Sequence, residues 1–265
     1  MFLVRISNDR DLIVLKINLF ILMITVAMSS GAIAQSPQAQ KILIYKGPGT
    51  CQGCPEAISS LLTKAGFNTQ YIKPGQLTKK NFKKTAMYVQ PGGSDDASEV
   101  INALSKNEIK NLKSYVFNGG KYLGICSGGY LAGRHIVDKE TIKSFSLLPT
   151  TVDEEQEDPD SKIERIKWKN KKRSVYFQSG PAFNLKHLPN ADIWAIYTKT
   201  GNGAALINKY GHGKVGVIGP HLEATEDWFD DSDLESPGLS HHLLMDFINT
   251  LLQDKSIFKR IILNG

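Results

Sequence analysis

GGKYLGICSGGYLAG, residues Gly119–Gly133, runs from a glycine stop through a β-rich stretch, Tyr122–Cys126, directly into helical sequence. Within it Cys126 sits at a strand end, with Gly124 two residues before and Gly128 two residues after. A nucleophile elbow needs this arrangement: the strand-to-helix turn is so tight that flanking side chains would clash, and the nucleophile projects from the carboxyl edge of a sheet. The backbone N–H of the next residue, Ser127, can then face a developing oxyanion, and the N-terminal end of the following helix favours a thiolate.

On either side of this stretch the chain alternates strands and helices. Lys41–Lys46, Thr69–Ile72 and Thr85–Gln90 read as strands before the elbow. Glu56–Ala65, Ala97–Leu104 and Glu108–Phe117 read as helices between them. Such alternation implies right-handed βαβ units and a parallel sheet. From about Ser144 the pattern changes to short strands: Ile163–Trp168, Ser174–Gln178, Asp192–Tyr197, Ala204–Asn208 and Lys214–Ile218. Gly201-Asn202-Gly203 and Gly211-His212-Gly213 supply hairpin turns, and an amphipathic helix over Leu239–Leu252 closes the pattern. The fold expected is α/β: a flavodoxin-like, doubly wound, mostly parallel sheet with helices on both faces and added β-hairpins in the C-terminal half. Asp153–Asp160, followed by the basic Lys162–Arg173, reads as a charge-segregated loop or hairpin.

The 265 residues are 41% hydrophobic and 22% charged, which describes a globular chain able to bury a sizeable core. Three cysteines are too few for a disulfide scaffold. The formal charge of +6 is spread along the chain and does not mark a nucleic-acid binder, so no nucleic-acid partner is expected. Ile17–Met28 is an unbroken apolar run preceded by Arg5, Arg10 and Lys16 and followed by Ala32-Ile33-Ala34. A basic region, a short apolar core and an A-x-A site make a secretory signal peptide over residues 1–34, cleaved after Ala34. The run falls short of the roughly 20 apolar residues of a membrane span, so no stable membrane insertion is expected after cleavage. Residues 35–265 are then a single domain in the periplasm or outside the cell. Export also permits Cys51 and Cys54 to close a disulfide, leaving Cys126 as the odd thiol. Pairing of either cysteine with Cys126 would switch the nucleophile off.

A cysteine nucleophile needs a base and a group to orient it. Lys214–Ile218 is a strand followed by Gly219-Pro220-His221-Leu222-Glu223. In extended chain, residues i and i+2 point to one side, so His221 and Glu223 can face one site together. None of the six histidines shows metal-ligand spacing, and neither a metal nor a cofactor is expected. Two more glycine turns fall on the same edge of the sheet. Gly47-Pro48-Gly49-Thr50 follows the first strand and Pro91-Gly92-Gly93 the third. Open α/β sheets bind ligands there, which makes Gly92 or Gly93 a second oxyanion donor and places Gly49 and Thr50 at the substrate.

In combination, these stretches resemble the class I glutamine amidotransferase-like superfamily, which uses a Cys-His-Glu triad. More narrowly, they resemble the amino-terminal domain of fungal biotin–protein ligases and its free-standing bacterial forms. The matching stretches are Ile44–Thr50, Val89–Asp95, Gly119–Gly133, Tyr176–Pro181 and Gly211–Glu223. The resemblance implies Cys126 as nucleophile, His221 as base and Glu223 as its orienter. Amidotransferases carry Pro where Leu222 stands, and an exported chain would be parted from cytosolic ATP-dependent synthetases; both departures point away from glutamine as substrate. No ligase catalytic sequence is recognisable, so attachment of biotin is not expected. The reading that follows is a cysteine hydrolase acting on an amide or related C–N bond of a small or peptide-like substrate. The alternative is a catalytically silent ligand-binding or scaffold protein of the same fold. Substrate choice would lie in Thr150–Trp168 and the acidic Glu226–Glu235. No oligomeric state follows from these patterns.

Overall fold

The computed structural model describes residues 39–94, 96–136, 142–156 and 158–253; the expected signal peptide and its cleavage site lie outside them. Five strands form a parallel core: β1 (Lys41–Tyr45), β2 (Asn68–Ile72), β3 (Thr85–Gln90), β4 (Lys121–Ile125) and β13 (Gly213–Ile218), in the order β2-β1-β3-β4-β13. β1 is buried along most of its length and β4 throughout, the continuous apolar run of strands covered on both faces. The chain reverses from β1 at its centre out to β2 and back across to β3 and β4. The carboxyl ends of β1, β3, β4 and β13 therefore gather at one edge, where a doubly wound sheet presents its site.

Helices cover both faces. α1 (Cys54–Lys64) and α7 (His241–Leu252) bury Ile58, Leu62, Leu244, Phe247 and Leu251 on one side, against Ile42, Ile44, Val89 and Ile125. On the other side lie α2 (Lys79–Phe82), α3 (Ser98–Ala103), α4 (Lys106–Phe117) and α5 (Ser127–Ala132). They bury Phe82, Val100, Leu112, Val116 and Leu131 against Leu43, Tyr88 and Tyr122. α4 begins with a full capping box, in which Ser105 and Glu108 each satisfy the other's backbone amide. Glu108 also accepts from the amides of Gly75 and Leu77, tying the loop after β2 to this helix.

Beyond β13 the sheet turns antiparallel, through β12 (Gly203–Tyr210) and β10 (Pro181–Phe183) to β7 (Val152–Glu154); β7 pairs parallel with β5 (His135–Ile136), which is antiparallel to β6 (Ile142–Lys143). A branch leaves β12 through β11 (Asp192–Tyr197) to the hairpin of β8 (Lys162–Trp168) and β9 (Lys171–Phe177). The expected glycine hairpins join β11 to β12 and β12 to β13. Of the charge-segregated stretch, the basic Lys162–Arg173 forms most of the β8–β9 hairpin, turned by Lys169 and Asn170, both at positive φ, while Asp153 and Glu154 of its acidic half lie in β7. Trp168 and Trp194 from this branch pack edge-on against each other and on Phe247, fastening the added strands to α7. α6 (Glu226–Asp231) lies between β13 and α7 in the chain. No helix among the described residues is long and apolar enough to cross a membrane.

Candidate active site

Cys126 stands between β4 and α5 with φ 48° and ψ −111°, a conformation an L-residue adopts only under constraint. Its amide donates to Ile218 O at 2.9 Å, and Gly129 and Tyr130 donate to its carbonyl at 2.7 and 3.3 Å. The flanking glycines are required by close approach. A Cβ on Gly124 would stand 2.3 Å from Gly128 O, and one on Gly128 would stand 2.1 Å from Gln90 O. Three backbone segments thus meet with no side chain between them, which is what turns the thiol toward the cleft. Cys126 is 7% exposed, and its thiol faces the carbonyls of Gln178 and Ser179 at 3.6 and 3.9 Å.

His221 and Glu223 do meet, although by another route than extended-strand register. The chain turns after β13, with Ala224 N donating to His221 O, and this turn brings the two side chains together. His221 Nδ1 lies 2.9 Å from Glu223 Oε1; the residues are 5% and 0% exposed. Cys126 and His221 line one cleft, near enough for the sulfur to act electrostatically on the ring. Burial alone would drive His221 toward the neutral form, but the charge of Cys126 and the Glu223 carboxylate beside Nδ1 raise its pKa well above the ordinary histidine range. Tyr176 and Trp228 close around the ring, with centroids at 6.1 and 5.3 Å in edge-on contact. Trp228 lies in the acidic Glu226–Glu235 stretch expected to set substrate choice, but nothing in that stretch marks it as a neighbour of His221; Tyr176 and Gln178 lie in the matching stretch Tyr176–Pro181.

The two expected oxyanion amides are available. Among the described residues, neither Ser127 N nor Gly93 N donates to a backbone carbonyl. Thr50 and Gly93 form an isolated antiparallel bridge, flanked by Cys51 N to Gly92 O at 3.2 Å and Ser94 N to Gly49 O at 3.3 Å. Gly93 and Ser127 line the cleft. Gly49 and Thr50 do not, and serve instead to brace the glycine turn, with Thr50 Oγ1 donating back to Gly47 O at 2.8 Å. Gly92 also stands behind the lining: a Cβ there would meet His221 Cε1 at 2.7 Å and Cys54 Sγ at 2.9 Å.

Cys51 and Cys54 are joined as a disulfide with Cα atoms 5.5 Å apart, and Cys126 is free. Cys126 is thus not tied to either partner. Donor atoms of Cys54, His221 and Glu223 lie within 4.8 Å of one another, close enough to surround a cation. In the oxidised protein, however, the sulfur is committed to the disulfide and one carboxylate oxygen to the imidazole. The whole arrangement opens into a cleft of about 1290 Å³.

Residues 40–144 match the family described as "Biotin-protein ligase, N terminal". The biotin–protein ligase of Schizosaccharomyces pombe is 25% identical over 210 residues, covering 69% of this chain and 33% of that protein. The chain thus spans about one third of the length of this curated relative. A crystal structure of a glutamine amidotransferase superposes with a TM-score of 0.55 at 16% identity, covering 70% of this chain and 92% of that one. A glutamine amidotransferase from Thermotoga maritima gives 0.52 at 14% identity, covering 81% and 98%. The fold is glutamine amidotransferase-like, with a biotin–protein ligase N-terminal match over residues 40–144 and a distant relationship to the ligase.

Proposed function

We propose that this amidotransferase-like domain is a cysteine hydrolase of an amide or related C–N bond, with Cys126 as nucleophile, His221 as acid and base, and Glu223 as its orienter. The observation that carries this reading is the buried imidazole, paired with the Glu223 carboxylate at 2.9 Å and sharing one cleft with the Cys126 thiol at its strand-to-helix turn. With Nδ1 engaged by Glu223, the other nitrogen, Nε2, serves the sulfur. The thiolate attacks the acyl carbon, forming a C–S bond while the carbonyl pair moves to oxygen, where the Ser127 and Gly93 amides receive it. The imidazolium gives its proton to the departing nitrogen, the C–N bond breaks and a thioester remains. Water then attacks, His221 takes its proton, the C–S bond breaks, and acid and thiolate are released.

Export belongs to this proposal as well. The Cys51–Cys54 disulfide supports it, because such bonds persist in oxidising compartments. The N-terminal sequence of the protein recovered from its native host tests it, with Gln35 as the expected first residue.

The catalytic reading is tested by alkylating Cys126 with iodoacetamide between pH 5 and 9. Rapid reaction at pH 6.5, slowed at least tenfold in His221→Ala, is the expected result. A rate indifferent to His221 would instead favour a pocket that holds ligands without cutting them.

A further inference from the structure

The charge of the cleft narrows the substrate, an inference that rests on the hydrolase reading above. The chain carries 32 Lys and Arg and a formal charge of +6, yet among the described residues neither type lines the cleft. Six carboxylates do: Asp96, Asp153, Glu154, Glu155, Asp227 and Asp231, of which Glu155 is taken up by Thr200 and Asn202 and pushed toward the neutral form by burial. They come from three separate parts of the chain, the loop before α3, β7 with its exit, and α6. Among the described residues no ion pair with Lys or Arg neutralises Asp153, Asp227 or Asp231. Asp231 is the last residue of its helix, where the carbonyl end disfavours a negative charge, so local helix stability does not explain it.

The negative field reaches the catalytic floor. Tyr130 lines the cleft and hydrogen-bonds Ser179 O at 3.0 Å; burial first, then the charges of Cys126, Glu154 and Asp153, keep its hydroxyl protonated. Trp228, beside Asp227, presents an indole to the same space, and aromatic rings attract cations. A second feature points to a ligand independently of the acids. Ser127, next to the nucleophile, lines the cleft; its Oγ is buried and has no hydrogen-bond partner among the described residues, a polar atom left for a ligand to satisfy.

We propose that the cleft takes a cationic amide, a substrate bearing an ammonium or guanidinium group near the scissile C–N bond. The carboxylates and the Trp228 ring receive the cation while Cys126 attacks the acyl carbon, with water as the co-reactant and the bond changes as written above. Anionic substrates are repelled from the same thiol.

Cys126 is the free cysteine, so methanethiosulfonate reagents report the cleft directly. The test compares the trimethylammonium-ethyl reagent with the sulfonato-ethyl reagent on the oxidised protein, each rate normalised to 2-mercaptoethanol. The cationic reagent should lead by about tenfold or more at low salt, in the range expected of electrostatic focusing. That lead should shrink in high salt and collapse in the triple variant Asp153→Asn, Asp227→Asn, Asp231→Asn. A normalised ratio near one, a ratio unchanged by the triple variant, or a thiol closed to both reagents would each overturn the proposal. The neutral methyl reagent separates the two readings. If its rate is insensitive to His221→Ala, the hydrolase reading fails, while the charge ratio still decides this one.

Discussion

Replacing Glu223 by Gln removes one charge from a fully buried pair and keeps the size of the side chain. The carboxylate oxygen lies 2.9 Å from His221 Nδ1. At an effective dielectric constant of about 20, two unit charges at that separation interact by about 6 kcal/mol. This is an upper bound, because the amide still accepts a hydrogen bond and the ionised pair carries a desolvation cost that Gln does not. Halving it leaves about 3 kcal/mol favouring the imidazolium, or roughly a hundredfold in the population of protonated His221 beside Cys126. Alkylation of Cys126 by iodoacetamide at pH 6.5 should therefore slow by between tenfold and a hundredfold in Glu223→Gln. At pH 9 the difference should narrow. A matched circular dichroism spectrum establishes that the variant folds. Equal rates for variant and parent at pH 6.5 would refute the reasoning, since the carboxylate would then have no hold on the imidazole.

Gly128→Ala sets two effects against each other. Ala gains about 1 kcal/mol in a helix, but its Cβ would stand 2.1 Å from Gln90 O, and forcing backbone apart costs about 3 kcal/mol. The clash wins, and denaturant unfolding should show a net loss of about 2 kcal/mol with Cys126 misdirected. Glu108→Ala leaves the amides of Gly75, Leu77 and Ser105 unpaired and should cost about 3 kcal/mol in the same assay. Burial would raise the Glu108 carboxyl, but these hydrogen bonds win and hold it below its ordinary range. Its contribution is thus present above the unfolded value of about 4.3 and lost as pH falls through the folded one, so the stability of Glu108→Gln should decline less in acid than the parent's.

Much of the site is legible in the sequence because its parts are local. The Gly124–Gly128 turn announces itself by spacing, and the parallel strand before it follows from the alternation of Lys41–Phe117. His221 and Glu223 are legible as a pair, but not the turn that joins them, since side-chain direction after a strand depends on where the chain bends. What the sequence hides is distant. Trp228 reaches His221 from α6, and the Cys51–Cys54 disulfide comes to rest near the same ring. Asp153 and Asp227 share one cleft only because the antiparallel extension folds back onto the parallel core. Gly49 and Thr50, placed at the substrate by their position after β1, are diverted into bracing because Thr50 pairs with Gly93. No local pattern distinguishes the two roles.

The disulfide has a consequence for anyone preparing the protein. Cys54 Sγ shares a space within 4.8 Å with donor atoms of His221 and Glu223. Made in a reducing cytosol, the chain would emerge with that sulfur free, and a nitrogen, a sulfur and an oxygen would together suit a zinc or nickel ion. Purification on immobilised nickel would then load His221 with metal and block the cleft. Metal analysis of material made with and without oxidative folding, before and after a chelator, distinguishes an inactive protein from a poisoned one.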